Sequence, residues 1–133
     1  MPEVQYIKNV VAYAKFAATP SHFAKMITGM PDSNPDEVVI RAINFNGQVN
    51  DNFLYLVWCS LTNDFIASFC GGNLSPQSPG TVIRLNAPVP NMLEFKLYGM
   101  DAAGSEAKYM NAVTGDLAIH LDFIKYKRVP PHA

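Results

Sequence analysis

Apolar and polar residues alternate most cleanly in Leu117-Ala118-Ile119-His120-Leu121-Asp122-Phe123-Ile124-Lys125-Tyr126. Leu117, Ile119, Leu121 and Phe123 share one parity, while Ala118, His120 and Asp122 share the other. A period of two places successive side chains on opposite faces of a strand, so this segment predicts a strand with one face in a core and one toward water. The alternation slips at Phe123-Ile124. That leaves Ile124 and Tyr126 pointing away from the core and marks them as candidates for a subunit contact.

The same period recurs along the chain. Met92-Leu93-Glu94-Phe95-Lys96-Leu97-Tyr98 predicts a strand with Leu93, Phe95 and Leu97 inward and Glu94 and Lys96 outward. Val38–Phe45 reads as a strand closed by Asn46-Gly47, a strong turn signal. Thr81–Asn86 puts Ile83 and Leu85 on one face, and Pro88 and Pro90 end it. Phe53–Cys59 is apolar at every position and needs both faces covered. Turn formers in Ser60–Asp64 precede Phe65–Cys70, which suggests a hairpin centred on Thr62. In that register Leu54, Leu56, Trp58 and Ile66 share one face, and Phe53, Tyr55, Val57, Phe65 and Phe69 share the other. One face enters the core, and the second requires a helix, a loop or another subunit. The expected oligomer interface is therefore Phe53, Tyr55, Val57, Phe65 and Phe69, with Ile124 and Tyr126.

Toward the N-terminus, Val4–Phe16 fits both a helical face (Ile7, Val10, Val11, Ala14) and a strand parity (Val4, Tyr6, Val10, Ala12, Ala14, Phe16). The density of Val, Ile and Tyr favours the strand. Thr19–Gly29 offers a hydroxyl N-cap, Pro20 at the first helical position and Gly29 past the end, with Phe23, Met26 and Ile27 on one side. It predicts a short helix. Met30–Asp36 reads as a loop, and Gly71–Gly80 and Gly99–Gly115 as long connections. Six or seven short strands with turn clusters between them indicate an all-β chain. The expected fold is a single domain over residues 1–133: an antiparallel, jelly-roll-like β-sandwich with one short N-terminal helix.

Composition changes this picture in one respect. The 133 residues are 49% hydrophobic and 16% charged, against about 25% charged in ordinary globular domains. So little charge points to self-association. The net charge of −1, from 10 basic and 11 acidic residues without blocks, provides no footprint for a phosphate backbone, so nucleic-acid binding is not expected. The basic run Lys125-Tyr126-Lys127-Arg128 reads as a solvated strand end. No run of about 20 apolar residues exists to span a membrane, and Met1–Gln5 lacks the basic start and apolar run of a signal peptide.

Candidate chemistry is sparse. In the register above, Cys59 faces Phe65 and Cys70 faces Leu54, too far apart for a disulfide; two buried free thiols suit a reducing compartment. His22, His120 and His132 share no metal-ligand spacing with each other or with the cysteines, so no metal and no cofactor is expected. His120 and Asp122 could form an acid–base pair, though a solvated strand face explains them as well. No Gly-x-Ser-x-Gly elbow or Gly-rich phosphate loop exists. Asn73-Leu74-Ser75 matches a glycosylation acceptor triplet without a secretion signal and is given no weight. Of the aromatics that could stack on a sugar, Trp58 suits the core, while Tyr98 and Tyr109 flank the long connection.

The run Phe53–Phe69, the Pro79-Gly80-Thr81 turn into a strand, Pro90-Asn91 before the next, and the closing Leu121–Tyr126 resemble small virion surface proteins, the fibre-head and spike domains of viruses. The resemblance spans residues 38–128 and transfers no binding residues; Val4–Gly29, with its predicted helix, departs from it. It implies a non-enzymatic virion structural or attachment domain, a homotrimer on the virion surface, assembled in the host cytoplasm or nucleus. Its loops, Gly71–Gly80 and Gly99–Gly115, would bind a host receptor or other virion proteins. The lack of a basic arm favours a surface role over genome contact. The alternative is a carbohydrate-binding, lectin-like module, with Tyr98 and Tyr109 stacking on a sugar and Asp101 and Asn111 hydrogen-bonding it. A third expectation is an enzyme using His120 and Asp122.

Overall fold

A computed structural model describes residues 3–31, 34–47, 52–70, 80–101 and 106–128. Nine strands are described: β1 (Val4–Thr19), β2 (Phe23–Met26), β3 (Glu37–Gly47), β4 (Asn52–Cys59), β5 (Asp64–Cys70), β6 (Thr81–Arg84), β7 (Met92–Asp101), β8 (Lys108–Tyr109) and β9 (Val113–Tyr126). They form two antiparallel sheets, one in the order β1-β9-β3-β6 and the other β2-β7-β4-β5, with β8 added to β7. One apolar core lies between the sheets. Val10, Ala12, Phe16, Val38, Ile40, Ile43, Phe45, Leu117, Ile119, Leu121 and Phe123 enter it from the first sheet, and Tyr55, Val57, Cys59, Ile66, Phe69, Leu93, Phe95 and Leu97 from the second.

The alternation read from Leu117–Phe123 and Leu93–Leu97 therefore corresponds to buried faces. β9 is the central strand of its sheet, with β1 and β3 on either side. A bulge between Ile40 and Ala42 in β3 leaves Arg41 outside the regular register. This extra residue keeps both Ile40 and Ile43 inward, and it frees Arg41 to reach across the outer surface.

No helix is present among the described residues, and the helix expected over Thr19–Gly29 is corrected to a bend and the strand β2. The local signals for a helix are real, but tertiary partners outbid them. Ser21, fully buried, donates its Oγ hydrogen to the Leu97 carbonyl at 3.1 Å and accepts from the Leu97 N–H at 3.0 Å. Its own N–H donates to the Met110 carbonyl at 3.1 Å. Phe23 stacks on Phe95 with ring centroids 5.2 Å apart and meets Phe16 edge-on at 5.9 Å. Four β2 residues thus find backbone partners on β7, from Phe23 opposite Phe95 to Met26 opposite Met92. A helix of this length would gain little in isolation, whereas the strand closes one margin of the core.

The β4–β5 hairpin forms, with Leu54 opposite Cys70 as expected. A bulge shifts the register between Val57 and Trp58, so Cys59 lies opposite Asp64 rather than Phe65, and Trp58 opposite Phe65. Ile66 is the residue left over, and it turns into the core (5% exposed), while Phe65 is 41% exposed.

Asp36, in the expected loop before β3, ties the sheet's end together. Its carboxylate accepts from the Tyr126 N–H at 2.9 Å and pairs with Lys125 Nζ at 3.3 Å and Arg128 Nη2 at 3.5 Å. Its main chain donates to the Ile124 carbonyl at 2.8 Å and accepts from Leu85 N–H at 2.9 Å. The Tyr126 N–H bond, more than the two cations, lowers the carboxyl's pKa below its usual value. A folded-state pKa below the unfolded one means stability that is complete above the unfolded value and is lost as pH falls through the carboxyl range. Acid titrations of the unfolding midpoint below about pH 4 are expected to fall less steeply for Asp36→Asn than for the wild type. Parallel curves would remove Asp36 as an acid-sensitive clasp.

Candidate functional site

Because each sheet turns one face inward, the strands present two outer faces and their edges to other molecules. The two faces differ in chemistry. On the β1-β9-β3-β6 sheet, polar side chains form a hydrogen-bonded ladder across three strands. Asp122, only 7% exposed, accepts from Asn9 Nδ2 of β1 through Oδ1 and from Arg41 Nε of β3 through Oδ2, the latter at 2.5 Å. One rung away, Asn44 Nδ2 and His120 Nε2 are 3.4 Å apart. Toward the far end, the Tyr13 hydroxyl donates to Asp116 Oδ1 at 3.1 Å.

His120 and Asp122 share this face, but each is engaged by a different neighbour, so the strand does not assemble them into an acid–base pair. The ion pair to Arg41 and the amide of Asn9 occupy both oxygens of Asp122. Among the described residues no three metal-ligating side chains converge.

The outer face of the β2-β7-β4-β5 sheet is apolar over its middle. Leu54, Leu56 and Trp58 of β4 stand opposite Met100, Tyr98 and Lys96 of β7, all half-buried. Phe65 of β5 meets Tyr98 edge-on with centroids 5.1 Å apart, and Tyr98 meets Tyr109 of β8 at 5.7 Å. Lys96 lays its ammonium over the Trp58 ring, 4.6 Å from its centre, so the one cation among these facing pairs lies over an aromatic surface. Glu94 closes the face, with its carboxylate 3.2 Å from His22 Nε2.

The face expected to bind a partner is the opposite one. Tyr55 and Val57 are fully buried and Phe69 is 4% exposed in the core; of the expected set on β4 and β5, Phe65 alone is seen at the surface, and the Phe53 side chain lies outside the described residues. The pairing of β4 with β7 decides the matter: Val57 is opposite Leu97 and Cys59 opposite Phe95, and cross-strand neighbours share a face. The clean alternation of Leu93, Phe95 and Leu97 was the usable signal, because any partner of β7 must turn the same way. Ile124 is buried within its own chain at 6% exposure, and Tyr126 is half-buried with its hydroxyl bonded to the Glu37 carboxylate.

Of the expected sugar-binding residues, Tyr98 and Tyr109 are cross-strand neighbours whose rings touch. Asn111 is exposed in the turn before β9, and the Asp101 side chain lies outside the described residues. Of the loops expected to carry contacts, Gly71–Gly80 lies outside the described residues except for Gly80, while the long connection expected over Gly99–Gly115 is corrected: apart from 102–105, which lie outside them, it holds the end of β7, the strand β8 and the start of β9. Cys59 is a buried free thiol, pushed up to about 11 by burial. The residues that sequence reasoning missed are Asn9, Arg41 and Asp36; each acts through a partner more than eighty positions away, and none belongs to a local pattern.

No family model matches the chain, and no curated protein matches it. Among solved structures, the NLP core of Drosophila, described for its pentamer formation and histone binding, is similar. It has a TM-score of 0.47 and 14% identity over 92% of this chain and 100% of that one. At that score the likeness carries nothing about function here. The similar structure is not a virion domain, so the resemblance to viral fibre heads and spikes is corrected, and the attachment role, host receptor, homotrimer and virion-surface location, which rested on that resemblance, are withdrawn with it.

Proposed function

We propose that the chain is a non-catalytic jelly-roll building block that assembles with copies of itself through the outer face of the β2-β7-β4-β5 sheet. The strand orders β1-β9-β3-β6 and β2-β7-β4-β5 interleave in the double Greek-key manner of a jelly roll. One observation carries the assembly reading: Leu54, Leu56, Trp58, Phe65, Tyr98 and Met100 form a continuous apolar surface outside the core. The opposite sheet carries a polar ladder across the middle of its outer face, and its exposed apolar side chains Ile7, Val11 and Tyr13 lie on the edge strand β1. Low charge content favours contact between identical subunits, and the aromatic character of the patch suits the centre of an interface. The non-catalytic reading rests on the separate engagement of His120 and Asp122.

Light scattering coupled to size exclusion is expected to show wild-type particles well above the 14.6 kDa chain mass at tens of micromolar. Leu56→Glu places a carboxylate at the centre of the patch and is expected to cost about 3 kcal/mol of association, roughly a hundredfold in dissociation constant. Its particles then lose mass while its thermal unfolding stays that of a folded chain. A wild-type monomer, or a Leu56→Glu variant of unchanged mass, would remove the sheet-face reading.

A further inference from the structure

The four outer strands of the two sheets are not alike. β2 and β6 have four residues each and β5 has seven, but β1 has sixteen. Short length is one of the commonest ways in which an edge avoids adding another strand. β1 lacks that protection, and among the described strands of its sheet it pairs with β9 alone.

Proline and bulges are absent from its middle as well, which leaves Lys8 and Lys15 as the charges along it. No proline interrupts Val4–Thr19, and the bulges lie at its ends, between Val4 and Tyr6 and between Ala17 and Thr19. Lys8 does not guard the edge, because its Nζ lies 3.2 Å from where a methyl group on Gly29 would stand, toward the β2–β3 connection. The outward positions of this stretch are Ile7, Val11 and Tyr13, exposed by 48%, 41% and 58%, with Asn9 committed to Asp122.

We infer that the free edge of β1 is a strand-addition site and that its occupant is β1 of a second copy, antiparallel about a two-fold axis at Val10. This contact is independent of the sheet-face assembly. The register follows from self-complementarity. An axis at Val10 sets Ile7 opposite Tyr13 of the partner copy, so the two most exposed apolar positions of the middle stretch cover each other. Lys8 then faces Ala12 and Lys15 faces Gln5 of the partner copy, and no like charges are opposed. The two four-stranded sheets become one of eight. Main-chain hydrogen bonds supply the affinity, as in other strand additions.

The test uses Ile7→Cys and Tyr13→Cys in a Cys70→Ser background, where Cys59 stays silent because it is buried with its pKa near 11. In this register a residue and its own copy at position 7 are six strand positions apart, about 20 Å, beyond disulfide reach. Mild oxidation of an equimolar mixture is expected to yield covalent dimers at about ten times the level of either variant alone, since bridging requires alpha carbons within about 7 Å. No dimer in the mixture, or equal amounts in all three samples, would overturn the pairing. Both variants are first shown to melt with the parent. The mixture is then repeated on Leu56→Glu. Cross-linking that persists there carries the edge contact even where sheet-face assembly fails; cross-linking that disappears with it would overturn the edge as a contact in its own right.

Discussion

Gly115→Ala is expected to lower folding stability by about 3 kcal/mol and the melting temperature by roughly 10 °C. Gly115 opens the pairing of β9 with β3, opposite Gly47, and faces Phe16 of β1 on its other side. Its φ of +141° is one that L residues rarely adopt. Space is the second obstacle: a methyl group there would stand 2.3 Å from the Gly47 Cα and 2.6 Å from the Asn46 carbonyl oxygen, both backbone atoms that cannot swing away. Gly80→Ala separates the two causes. Gly80 also has positive φ, at +64°, but open space around it, so its cost is expected to stay near 1 kcal/mol. Urea unfolding of both variants supplies the comparison. Equal losses would show that conformation, not the approach of β3 to β9, governs Gly115.

Asp122→Ala is expected to cost about 2 kcal/mol, since it removes from a site only 7% exposed the carboxylate that two neighbouring strands share as acceptor. Asn9 Nδ2 loses its acceptor and Arg41 loses its ion partner, in one step and on two different strands. Arg41 is 56% exposed at its side chain and Asn9 is exposed on β1, so both donors can turn to water and the loss is that of the two bonds themselves. Asp122→Asn keeps an acceptor oxygen for Asn9 and is expected to recover about half of it. Denaturant midpoints decide: an Asp122→Ala variant within about 0.5 kcal/mol of the wild type would mean that the ladder orders the surface without stabilising the sheet.

Much of the fold was legible because β strands with one wet face write their burial into the chain. Leu93-Glu94-Phe95-Lys96-Leu97 and Leu117–Phe123 needed no partner to be oriented. Phe53–Cys59 could not be oriented this way, since apolar residues at every position carry no parity; only its pairing with β7 selects Tyr55 and Val57 for the core and leaves Leu54, Leu56 and Trp58 outside. Phe65 and Ile66 exchanged faces through a single bulge, and a bulge has no local signature when no glycine marks it. Thr19–Gly29 failed for the opposite reason. Its caps and spacing were good helix signals, but Ser21 and Phe23 have partners on β7, seventy positions away. The polar residues that shape the outer surfaces, Asn9, Arg41, Asp36 and Asp122, were invisible as a set because sequence distance hides cross-strand neighbours. The resemblance to virion domains rested on strand pattern alone, which many sandwiches share.

The pairing of β1 with β9, from Val4 opposite Tyr126 to Thr19 opposite Val113, also sets the order of folding events. These strands are the first and last made, and no other described strand of its sheet pairs with β1. At ordinary translation rates β1 leaves the ribosome about 5 to 20 s before its neighbour exists. During that interval both of its edges are open, and loop closure over the intervening chain makes the step slow even afterwards. Nascent chains are therefore expected to be most prone to misassociation through their first sixteen-residue strand, and to lose that tendency when β9 arrives.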